Sequence, residues 1–147
     1  KNESMTANYA TILNNLAGLY RMEKQLQKAA DTFDRAVEIY EACQKDIPPD
    51  DLASVYNNKG LVYLDIRDGE KARHIFMKAK EILEKAGDHK YALGTTLSNL
   101  GFAAVIEKKF PEAVVRFREA KTLFEQVGAS EMAQNCERSI SSLVTRR

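Results

Sequence analysis

The chain repeats itself at an interval a little over forty residues, and such a period calls for a fold built by stacking like units on one another. Ala17, Gly60 and Gly101 occupy equivalent positions, spaced by 43 and 41 residues. Twelve residues beyond each stands an alanine: Ala29, Ala72, Ala113. Four further come Phe33, Phe76 and Phe117, and three further again Ala36, Ala79 and Ala120. Ile39, Ile82 and Leu123 follow in register, then Tyr40, Leu83 and Phe124. Chance is a poor explanation for so many matches in three units.

Each unit reads as two helices. In the first, apolar or small residues recur at helical spacing: Leu13, Leu16, Ala17 and Tyr20, then Tyr56, Gly60 and Tyr63, then Leu97, Leu100, Gly101 and Ala104. The second carries Ala29, Phe33, Ala36, Val37 and Tyr40, with counterparts in the other units. Alanine and glycine let two backbones approach closely, while the aromatic fills the space beside them. Helices are expected over roughly 6–23, 26–45, 51–66, 69–86, 89–107, 111–127 and 130–144. Ile47-Pro48-Pro49-Asp50-Asp51 breaks one helix and offers Asp50 or Asp51 as the next N-cap. Gly87 and Gly128 are expected C-terminal stops, and Pro111 falls where a first helical turn tolerates it. After Gly128 the repeat lapses, with Met132, Cys136, Ile140 and Leu143 on one side of a final helix. That helix reads as a cap over the third unit or as the start of a fourth.

Composition narrows the function classes. Hydrophobic residues make up 44% and charged ones 29% of the 147, the balance of a folded chain. Seven glycines and three prolines leave little turn chemistry for an all-β fold. Lys plus Arg number 22 against 21 for Asp plus Glu, so no global field favours nucleic acid or an anionic membrane as partner. No apolar run approaches the roughly 20 residues needed to span a bilayer, and the first residues lack the apolar core of a signal peptide. Cys43 and Cys136 stand alone, which suits a reducing cytoplasm better than a disulfide framework. The sequence opens on Lys1, as an excised segment of a longer protein does. His74 and His89 have no HExxH, paired cysteines or carboxylate cluster beside them, and no glycine-rich phosphate loop is present. No cofactor is expected, and an enzyme is the least supported class.

These residues resemble the tetratricopeptide repeat, whose signature places a bulky residue, Leu-Gly, Tyr, then Ala, aromatic and Ala at set intervals. The first half of the signature is matched by Leu13-Leu16-Ala17-Tyr20, Tyr56-Gly60-Tyr63 and Leu97-Leu100-Gly101, the second half by the Ala-Phe-Ala triples. Lys59 and Ala104 depart from it, Glu41, Glu84 and Glu125 replace the usual closing proline, and the units exceed the family's length of about 34 residues. Longer units opening LNNL look like the subfamily of kinesin light chains and bacterial peptide-sensing regulators. The resemblance implies an all-α fold, a right-handed α-solenoid in a single domain over 1–147. Its repeats would cover roughly 6–45, 51–86 and 89–127, with a capping helix over roughly 130–144. It also implies a binding scaffold, with first helices lining a concave groove that holds an extended peptide or partner helix.

In the family the second asparagine of the signature faces that groove; here it is Asn15, Asn58 and Asn99. An amide offers both a donor and an acceptor, so three could pair along a peptide backbone whatever its side chains. The preceding position adds Asn14, Asn57 and Ser98; Thr11, Ser54 and Thr95 stand before it. The other reading has these asparagines bridging helices and fixing repeat packing. Both stand at this point. A lysine and arginine clamp for a C-terminal carboxylate is absent: Asn14, Gly18, Asn58, Thr95 and Asn99 hold those places, and none is a cation. Leu61, Leu64, Phe102, Val105 and Ile106 make an apolar floor, or else pack beneath neighbouring helices, and Arg21 and Asp65 stand at the rim. The expected partner is a protein or peptide, with self-association a further option. The alternatives are a regulatory or oligomerisation domain of a larger signalling protein and an accessory domain of an enzyme whose chemistry lies elsewhere.

Overall fold

The computed structural model describes residues 3–43, 45 and 47–145. Among them seven helices follow one another: α1 (Glu3–Met22), α2 (Leu26–Ala42), α3 (Pro49–Ile66), α4 (Gly69–Ala86), α5 (Lys90–Ile106), α6 (Phe110–Gln126) and α7 (Ser130–Val144). Each helix packs on the next, and α1, α3 and α5 also touch in series, so the first helices of the three units form one row. This is an all-α helical-repeat solenoid. No helix among the described residues is long and apolar enough to cross a membrane.

Short turns set the pairing within each unit. Lys24, Arg67 and Lys108 hold left-handed backbone, with φ of 64°, 70° and 61°. The amide after each closes back on the preceding helix: Gln25 to Tyr20, Asp68 to Tyr63, and Lys109 to Ala104, at 2.8–2.9 Å. The expected stops Gly87 and Gly128 lie at φ 71° and 75°, backbone that glycine adopts without a Cβ penalty. Two expectations need correction. α2 ends at Ala42, short of residue 45. Neither Asp50 nor Asp51 caps α3: Pro48 holds that position and Pro49 opens the helix, where its missing N–H costs nothing. The two aspartates fall instead in the first turn, where their charge meets the positive end of the helix dipole. Asp68 is a true cap, its carboxylate accepting from the Lys71 amide at 3.0 Å.

The core runs along the array. Phe33, Phe76 and Phe117 are buried between paired helices, each beside the small residue of its unit: Ala17, Gly60 and Gly101. A Cβ built on Gly60 would lie 2.3 Å from the Phe76 ring, and one on Gly101 would lie 2.7 Å from Phe117. Tyr56 ties α3 to α2 by donating its hydroxyl to the Glu41 carboxylate. Burial first, then that hydrogen bond and the carboxylate's charge, push this phenol well above its ordinary range. α5 is charge-free from Tyr91 to Ile106. It lies between the second unit and α6–α7, burying Leu97, Asn99, Leu100, Gly101, Ala103 and Ala104. α7 packs on α6 with Ala133, Cys136 and Ile140 turned inward.

Opposite signs are expected for two glycine substitutions. Gly60→Ala drives a methyl into a ring with no free space, and should cost about 1–3 kcal/mol by overpacking. A Cβ on Gly18 meets nothing within 4 Å. Gly18→Ala should therefore stabilise α1 by up to about 1 kcal/mol. Thermal and urea unfolding of both variants measures the pair.

Candidate functional site

The row of first helices carries the polar residues singled out in the sequence, and four of its five signature asparagines bond to one another. Asn58 Nδ2 donates to Asn14 Oδ1 at 3.1 Å, joining α3 to α1. Asn99 Nδ2 donates to Asn57 Oδ1 at 3.2 Å, joining α5 to α3. The first asparagine of one unit thus pairs with the second asparagine of the next. Asn57 Nδ2 donates in turn to Thr96 Oγ1 at 2.8 Å, and the Thr96 hydroxyl to the Ala92 carbonyl at 3.0 Å. Asn14, Asn57, Asn99 and Thr96 are all buried. Thr96 was not among the expected residues. Its signal in the sequence was a hydroxyl at the register position that holds Val55 one unit earlier.

Asn15, the second asparagine of the first unit, is exposed. With Asn14, Asn58 and Leu61 it lines a hollow of about 410 Å³ between α1 and α3. Leu19 and Met22, 57% and 77% exposed, give this hollow an apolar edge. No buried side-chain nitrogen or oxygen among the described residues lacks a hydrogen-bond partner. The atoms left over by the pairing, Asn14 Nδ2 and Asn58 Oδ1, are therefore the ones that reach solvent here. Phe102 lies apart from these residues, half-exposed beside Val105 in a second hollow of about 310 Å³ that α7 helps to wall.

Charge on this face is neutralised in place. Arg21 grips Asp65 with two bonds, Nε to Oδ2 at 2.6 Å and a terminal nitrogen to Oδ1 at 3.0 Å. Lys59 reaches Asp34 on α2 at 2.7 Å, and Arg73 reaches Glu107 at 3.2 Å. Pairs this exposed contribute little to stability, but they leave the hollow without a free cation to seek a carboxylate. His89 Nδ1 and Asp50 lie 2.7 Å apart and link the starts of α5 and α3. Among the described residues no group of three or more His, Cys, Asp or Glu side chains could hold a metal ion. Cys43 and Cys136 are both buried in separate parts of the core. Burial holds the Cys136 thiol above its usual range, against weaker opposing pulls from a hydrogen bond with Ser98 and the charge of Lys121. Such a thiol is a poor nucleophile at neutral pH.

Comparison with known proteins agrees with this architecture. A family model described as Tetratricopeptide repeat matches residues 51–126, and a second of the same description matches 10–42. Among solved structures, the TPR domain of Arabidopsis OM64 superposes with a TM-score of 0.71 at 19% identity, over 93% of this chain and 98% of that one. A putative kinesin light chain of Podosopora anserina with nearly identical TPR-like repeats gives 0.77 at 14% identity, over 93% of this chain and 66% of that one. Aspartyl phosphate phosphatase F from Bacillus subtilis gives 0.72 at 19% identity, covering 99% of this chain but 42% of that one. At these identities the likeness is one of fold. No curated protein matches the sequence.

The two asparagine positions should separate on mutation. Asn57→Ala leaves the buried Thr96 and Asn99 groups short of a partner and is expected to cost about 1–3 kcal/mol in urea unfolding. Asn15→Ala removes an exposed amide and should stay within about 0.5 kcal/mol of the parent.

Proposed function

The chain belongs to the tetratricopeptide repeat family, and from that premise we propose that it is a non-catalytic interaction module whose first-helix face holds an extended, largely apolar and uncharged peptide segment. Repeats of this family are generally protein-interaction modules, which makes a protein or peptide the partner. The observation that carries the finer reading is the hollow between α1 and α3. It offers unspent amide atoms from Asn14, Asn15 and Asn58 beside Leu19, Met22 and Leu61.

Each part has a role. The amides accept from and donate to a peptide backbone, which confers affinity without fixing the peptide's sequence. Leu19 and Met22 take apolar side chains, and methionine adapts to irregular shapes. The Arg21–Asp65 pair presents both charges already bonded, so this guanidinium is not a bare cation for a terminal carboxylate. Asn57 and Asn99 act indirectly, by holding α3 and α5 in the alignment that shapes the face. Phe102 supplies a separate apolar contact toward α7. The reducing cytoplasm suits the two free thiols.

Fluorescence anisotropy with a library of N-acetylated, C-amidated peptides tests this. Asn15→Ala should weaken the best binder by about tenfold, the loss of one or two hydrogen bonds. Leu61→Asp, which puts a charge on the apolar wall, should abolish binding while the helical signal in circular dichroism persists. Unchanged affinity in both variants would rule this face out.

A further inference from the structure

The α1–α3 hollow does not end at Met22. Arg21 and Met22 also line a second hollow of about 470 Å³, whose other walls are Lys24, Leu26 and Asp65. The two hollows therefore adjoin at the end of α1, beside the turn that leads into α2. Both lie between the first unit and α3 of the second.

Charge distinguishes them. Arg21, the one charged residue lining the first, is bonded to Asp65 through two contacts. In the second hollow that same pair is joined by Lys24, which has no ion-pair partner among the described residues. Close by, Glu23 accepts from the Gln25 side-chain amide at 3.0 Å, and Lys28 lies over the Tyr20 ring, 5.2 Å from its centre. Arg21, Lys24 and Lys28 against Glu23 and Asp65 leave this corner with one positive charge in excess. The turn holds Lys24 firmly at the edge: its amide donates to the Arg21 carbonyl, and that of Gln25 to the Tyr20 carbonyl, both at 2.9 Å.

We propose that Lys24 is a specificity determinant: the peptide whose uncharged segment fills the α1–α3 hollow continues into the second hollow, where Lys24 selects an acidic residue. This rests on the peptide reading of the first-helix face given above. Asn15 and Lys24 are nine residues apart, about 14 Å at the rise of a helix, which about four residues of extended chain cover. The acidic residue thus falls about four positions from the one that meets Asn15. Its carboxylate accepts a charge-assisted hydrogen bond from Lys24 Nζ, while Met22 and Leu26 offer apolar surface to its methylene stem. A basic residue at that place would face Lys24 with like charge and is rejected. A single exposed charge contact adds selectivity more than affinity.

Fluorescence anisotropy at low salt tests the proposal with N-acetylated, C-amidated hexapeptides. Their central positions are drawn from Ala, Leu, Met and Thr, and each end carries either Glu or Gln. One end should favour Glu over Gln by about three- to fivefold, and the gap should close as salt rises to about 0.5 M. Lys24→Gln should abolish the preference and leave the affinity of the Gln-ended peptides unchanged. Lys24→Gly, which suits the left-handed turn, should behave in the same way. Neutral peptides that bind while Glu brings no gain overturn this inference alone. A preference that survives in both variants does so too. Failure of every peptide to bind the native chain overturns the peptide reading, and this inference with it.

Discussion

The close approach of paired helices governs everything else in this molecule. At Gly60 and Gly101 a phenylalanine ring occupies the space where a side chain would begin. That contact sets how near α3 lies to α4 and α5 to α6, and so where the next first helix must fall. In the first unit Ala17 and Phe33 are both fully buried in the same cluster. Because each unit packs chiefly on its neighbours, the same contact repeated along the chain produces an array with a continuous core.

A second, polar constraint works along the array. The inner row is joined by amides from one unit to the next, and buried polar groups of this kind are costly when unpaired. Apolar packing tolerates sliding, whereas the Asn99–Asn57–Thr96 series is satisfied in one register. The asparagines between units therefore serve alignment. Asn57 and Asn99 are committed to neighbours, whereas Asn15 is exposed.

Much of this was legible in the sequence because size alternation and helical periodicity are local. The Ala–Phe–Ala triples, the glycine stops and the final helix all follow from residues within one unit. The start of α3 misled because two signals competed, and proline as first residue prevailed over a nearby aspartate as cap. The pairing of asparagines was hidden for another reason. Aligning the units sets Asn14 opposite Asn57, yet the bond goes to Asn58. Each first helix meets the unit before it and the unit after it with different residues, and no single unit records that pairing. Phe102 fell outside the α1–α3 hollow because it lies in a separate one that α7 helps to wall.

The charge-free stretch of α5 has a consequence for the life of the chain before and after folding. Released from its neighbours, Tyr91 to Ile106 would be an uncharged, β-branched and aromatic segment of the kind that associates with its own copies. Packing against α3 and α4 on one side and α6 on the other keeps this segment covered in the folded array. The order of the units therefore guards solubility as well as shape.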